Sequence, residues 1–136
     1  MAITPYLFYE DLAGALGFLS RAFGLKKCGP SMRGKDGKLS HAAMKLGKDL
    51  IMMGYPGPKY RNPKRLGEVT FNLYVNVPDV DKHFARAKKA GAKILEEPHD
   101  EFYGHRRYGA EDPEGHQWYF AHEIRARGAR ARRRAG

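Results

Sequence analysis

Asp11 and Asp79 stand 68 residues apart at the heads of two amphipathic runs, and Gly24 and Gly91 close those runs 67 residues apart. Aspartate is a strong helix N-cap and glycine a common helix stop, so each run reads as one capped helix. A strand candidate precedes each helix: ITPYLFY (3–9) in the first half and EVTFNLYVNV (68–77) in the second. Three short strand candidates follow each. In the first half they lie at 25–32, 39–46 and 48–53, with turns marked by KDGK and LGKD; in the second, at 92–96, around 106–110 and at 116–122. The order β-α-β-β-β thus occurs twice, which points to internal duplication. The expected fold class is α+β, built as tandem βαβββ modules.

The modules are expected at 3–54 and 68–124, within one domain of residues 1–124. Between them, residues 55–67 are rich in Pro, Gly, Lys and Arg and read as an irregular linker. A linker of this length lets the halves pair within one chain or swap between two. The hydrophobic fraction of 42% is enough to fill a core.

The net charge of +10 invites a nucleic-acid reading, but six of the arginines sit in RARGARARRRAG at the end of the chain. Without them the rest carries +4. Residues 125–136 are therefore expected to form a disordered Arg-rich tail, able to touch polyanions weakly. The one cysteine, Cys28, excludes an internal disulfide and fits a cytoplasmic location as a small packed residue. Residues 1–10 lack the basic and apolar regions of a signal peptide. No apolar run nears the ~18 residues of a membrane span.

Strand alternation assigns faces. In 68–77, Val69, Phe71, Leu73, Val75 and Val77 are expected on the core, and Thr70, Asn72, Tyr74 and Asn76 on the other side. A ligand cavity or a solvated sheet face gives that second pattern. In the last strand, the turn DPEG (112–115) is followed by His116, Trp118 and Phe120 on one side and Gln117, Tyr119 and Ala121 on the other. Trp118 and Phe120 belong in the core, and His116 is expected to hold the turn. No Ser-His-Asp, Cys-His or P-loop pattern appears. The neighbouring acids Glu96–Glu97 and Asp100–Glu101 face opposite ways on a strand, so neither pair reads as an acid/base couple.

The duplicated order, together with SHAAMKLGKDLIMM (40–53), VPDVDKHFARAKKAGAKI (77–94), FYGHRRYG (102–109) and DPEGHQWYF (112–120), resembles the vicinal-oxygen-chelate superfamily. That superfamily includes glyoxalase I, extradiol dioxygenases and bleomycin-resistance proteins, and the likeness is to its PhnB-like, bleomycin-resistance-like branch. The resemblance implies curved sheets forming a U-shaped cleft, often in a homodimer with swapped modules. It also implies four metal-ligand positions, which fall at Thr4, Met52, Asn72 and Tyr119. None is a histidine or carboxylate, as a hard or borderline divalent ion requires. His41 and His105 remain as leftovers for the alternative, a metal-dependent lyase or dioxygenase. The favoured expectation is a binding protein without cofactor, taking an antibiotic-like or aromatic organic ligand. The ligand-binding residues are then Thr4, Tyr6, Phe8, His41, Met52, Asn72, Tyr74, Tyr103, Arg106, Arg107 and Tyr119. The aromatics would stack and the arginines would bind a ligand acid.

Overall fold

The computed structural model describes residues 2–124, so the Arg-rich segment 125–136 lies outside the described residues. The first module comprises β1 (Tyr6–Phe8), α1 (Leu12–Phe23), β2 (Lys26–Lys27), β3 (Met32–Arg33), β4 (Leu39–Leu46) and β5 (Asp49–Gly54). A short α2 (Pro63–Leu66) follows. The second module comprises β6 (Leu73–Asn76), α3 (Val80–Lys89), β7 (Lys93–Asp100), β8 (His105–Glu111) and β9 (Gln117–Glu123). The architecture is α+β with two curved sheets. In the first, β1 pairs in parallel with β5, β4 joins β5 antiparallel, and β2 and β3 flank β4. In the second, β6 pairs in parallel with β9, followed by β8 and β7. The two sheets repeat one topology, as the duplicated sequence order requires.

The helices start where their caps stand. Asp11 accepts from the Gly14 N–H and Asp79 from the Lys82 N–H. Gly24 closes α1 in the left-handed region at φ 79°. Both helices cover one side of the sheets, and the core between them forms a single cluster. Phe23, at the end of α1, carries the contact between modules: its ring lies 5.4 Å from Trp118 and 4.8 Å from Phe120. Trp118 and Phe120 are fully buried, as alternation in the last strand predicts.

Three expectations need correction. The strand expected at 68–77 spans only Leu73–Asn76. Leu73 pairs with Trp118, so residues 68–72 would have to pair with 113–117, most of which is committed to the β8–β9 turn. Val69 and Phe71 are consequently exposed rather than core. The strand expected at 25–32 is two fragments, β2 and β3. The linker is not wholly irregular, because Asn62 caps α2 through the Arg65 N–H with Pro63 at the first position.

Two buried carboxylates from the DPEG turn hold these parts together. Asp112 Oδ2 accepts from the Tyr9 hydroxyl (2.7 Å) and the Trp118 indole N–H (3.1 Å). Its Oδ1 accepts the backbone N–H groups of Glu114 and His116. Glu114 reaches the first module, where its oxygens accept the N–H groups of Glu10 (2.6 Å) and Asp11 (2.8 Å). It also accepts from the Asn62 amide (3.0 Å), which ties down the linker. His116 donates to the Phe8 carbonyl (2.7 Å) and lies edge-on to Tyr9. The turn thus staples β1, the linker and β9, with burial satisfied by hydrogen bonds throughout.

His83 on α3 lies between the Tyr108 hydroxyl and the Phe23 carbonyl, with its ring tilted against Phe120 at 4.1 Å. Burial pushes its pKa below the usual histidine value. The neutral imidazole is therefore favoured by folding, a contribution present above the unfolded pKa and lost as pH falls through the folded one. Acid titration of stability should show a loss beginning below about pH 6.5. His83→Gln should remove that component, and a wild-type curve without it would contradict the assignment.

Candidate functional site

The helix-free side of the sheets carries the candidate site. Leu7 on β1 and Tyr9 just after it face the core, leaving Tyr6 and Phe8 on the open side. On β8, Tyr108 and Ala110 are buried, so His105 and Arg107 share the open side with their neighbours Gly109 and Tyr119. Two matching pairs result. Tyr6 and His41 share a hydrogen bond of 2.9 Å on the first sheet; Tyr74 and His105 share one of 2.8 Å on the second. β1 corresponds to β6 and β4 to β8, but the histidines differ in register: His41 lies two residues before Ala43, the partner of Met52, and His105 four before Gly109, the partner of Tyr119.

On the first sheet, Phe8 lies edge-on to Tyr6 with ring centroids 5.7 Å apart. Met52 stands across from Tyr6. On the second sheet the Tyr74 hydroxyl also meets the Tyr103 hydroxyl at 3.2 Å. Partial burial, then the Tyr103 hydrogen bond, pushes the Tyr74 pKa up to about 12. This phenol stays protonated at neutral pH and can donate a hydrogen bond to a ligand. Tyr119 stands across from Tyr74, and the Arg107 guanidinium lies over its ring at 5.2 Å.

Gly109 makes room for that ring. A Cβ there would lie 2.6 Å from Tyr119 Cε1, and Gly109 has no positive φ of its own to explain it. Gly109→Ala should displace the Tyr119 ring from Arg107 and cost about 1–3 kcal/mol through overpacking. Aromatic proton shifts of Tyr119, read with a denaturation curve, check both parts. An unmoved ring would contradict the packing account.

The arginines do not stand where the sequence reading put them. Arg106 points to the helix side, where it pairs with Asp81 on α3 (3.0 Å) and with Asp100 (2.9 Å). Tyr108, which follows the two arginines in the chain, belongs to the core. Arg107 is on the open side, but its Nε lies 3.2 Å from Glu96 and 3.1 Å from Glu101. The Nε–Glu96 contact lacks hydrogen-bond alignment, but the guanidinium also donates to the other Glu96 oxygen at 3.4 Å and to the Tyr103 hydroxyl at 3.5 Å. Neither guanidinium is free for a ligand acid. His99 joins the same group through Glu101 (2.8 Å), and its pKa is raised, first by its hydrogen bond to the Glu97 carbonyl.

The strand register also shifts two expected positions. Across from Met52 stands Tyr6, not Thr4; across from Tyr119 stands Tyr74, not Asn72. Thr4 instead lines a cavity of about 440 Å³ between the start of the chain and β6. The four facing positions therefore carry Tyr6, Met52, Tyr74 and Tyr119. Three phenols and a thioether do not fit a hard or borderline divalent ion. Among the described residues, no group of three His, Cys, Asp or Glu could hold a metal ion.

A model described as Glyoxalase/Bleomycin resistance protein/Dioxygenase superfamily matches residues 3–120. The chain belongs to this superfamily. An uncharacterised protein of Mycobacterium bovis is 33% identical over 129 residues, covering 91% of this chain and 84% of its own. Among solved structures, TioX from Micromonospora sp. ML1 is 31% identical, covers 91% of this chain and 99% of its own, and has a TM-score of 0.73. A glyoxalase-related enzyme from Clostridium phytofermentans, at 11% identity and TM-score 0.71, shares the superfamily fold over 91% of this chain.

The superfamily fold explains the repeated strand order and the open sheet face. Among the described residues, no helix is long and apolar enough to cross a membrane. His105 is the residue at this face that the ligand-site reading passed over, having weighed it only as a metal ligand. No duplicate spacing marks it, because His105 lies 64 residues from His41 whereas Tyr74 lies 68 from Tyr6.

Proposed function

We propose that this member of the superfamily, of its PhnB-like, bleomycin-resistance-like branch, is a cytoplasmic small-molecule-binding protein that works without a resident metal. The observation that carries this reading is the donor set Tyr6, Met52, Tyr74 and Tyr119 at the facing strand positions. Phenols and a thioether supply stacking surface and hydrogen-bond donors to an organic ligand. Tyr74, His105 and Tyr103 form the polar handle on the second sheet; Tyr6 and His41 form its counterpart on the first. The alternative, a metal-dependent lyase or dioxygenase, would have to recruit His41 and His105, each of which is already hydrogen-bonded to a tyrosine.

The protein is proposed to act as a homodimer, with swapped modules as one arrangement. Exposed apolar side chains such as Ile3 and Phe102 support an assembly. Weak contact of residues 125–136 with polyanions is a separate, salt-sensitive property.

Aromatic antibiotic-like compounds should be screened by thermal shift in chelator. A ligand at 100 times its Kd should stabilise the protein by about 2.7 kcal/mol with no metal added. Tyr74→Phe should weaken that binding. Stabilisation that appears only with a divalent metal would reverse the proposal.

A further inference from the structure

We infer a second ligand site, under the linker at the end of the first sheet, that takes a small planar aromatic acid. A cavity of about 340 Å³ lies there. Its walls are aromatic: Tyr6 and Phe8 from β1, Tyr60 from the linker and Phe71 from the segment before β6. The volume lies at the lower end of the range for small-molecule sites, which suits one or two fused rings. The wall is built rather than incidental. Tyr60 donates to the Phe8 carbonyl at 3.0 Å and its ring meets Phe8 edge-on at 5.7 Å. His116 holds the same carbonyl from the other side.

Arg61 lines this cavity and decides the charge of the ligand. Among the described residues no carboxylate pairs with it, in contrast to Arg65, Arg106 and Arg107. The linker, residues 55–67, contains four Lys or Arg and no acid, but the carboxylates of Glu10 and Glu114 bond to Asn62 beside it, so attraction of an anion rests on Arg61 itself. A planar guanidinium beside aromatic walls suits a ring bearing a carboxylate, bound through two N–H groups. Glu68 also lines the cavity and opposes an anion, which gives the test a second handle.

The site shares Tyr6 and Phe8 with the open face but does not need the Tyr74–His105 side, so either reading can fail alone. The probes are 2-naphthoate and its neutral isostere 2-naphthamide, titrated by calorimetry and by backbone amide shifts. Naphthoate should bind roughly tenfold more tightly than the amide, about 1.4 kcal/mol. Arg61→Gln should abolish that preference and Glu68→Gln should increase it. Amides of Val69 and Phe71 should move on binding. Equal affinities, a preference that survives Arg61→Gln, or no binding of either probe at millimolar concentration would overturn the inference. Shifts confined to Tyr74 and Tyr119 would overturn it too, while leaving the open-face reading in place.

Discussion

Asp112→Ala is expected to destabilise the fold by about 4 kcal/mol, the largest loss from any single side chain outside the apolar core. The carboxylate is buried and accepts four hydrogen bonds. Alanine would strand the Tyr9 hydroxyl and the Trp118 indole N–H in the core without acceptors, and each such buried donor costs about 1–3 kcal/mol. It would also release the two backbone N–H groups that shape the turn. Asp112→Asn should fall between the two, since its amide can keep some of these bonds but cannot accept on both sides. Equilibrium urea unfolding measures the series. A loss under about 1 kcal/mol for alanine would mean the turn relaxes and solvates these donors.

Glu114→Ala is expected to cost about 3 kcal/mol, with a distinct local signature. Glu114 is the only described side chain that bonds both the start of α1 and the linker, through the Glu10 and Asp11 N–H groups and the Asn62 amide. Its loss should free the linker before the rest of the fold. Hydrogen exchange should therefore accelerate at Glu10, Asp11 and Lys64, whose N–H donates to the Glu114 carbonyl, more than in β4 or β8. Uniform acceleration across both sheets would show that the residue supports global stability alone. The double variant with Asp112→Ala should cost less than the two losses together, because both act on one turn.

Much of the architecture was legible because it rests on local signals. The caps Asp11, Asp79 and Gly24, the DPEG turn and the parity of Trp118 and Phe120 each follow from backbone chemistry within a few residues. Register was not legible. Thr4 and Asn72, which the resemblance implies, lie two residues from the partners of Met52 and Tyr119, an offset that period-two alternation conceals because it preserves the face. The adjacent arginines show a related limit. One of Arg106 and Arg107 had to face each way, and only the pairing of Ala110 with Trp118 decides which. Their acidic partners lie on α3 and β7, at distances along the chain that no periodicity reports. α2 carried the signal Asn62-Pro63, a cap followed by proline, masked by the surrounding Gly, Pro and basic residues.

The open face is chemically unlike a hard or borderline metal centre, and that distinction carries the functional account. Elemental analysis of protein purified without chelators tests it most directly. The account predicts Ni, Zn, Fe and Mn well below one equivalent per chain. A stoichiometric amount of any of them, lost together when His41 and His105 are replaced by alanine, would contradict it.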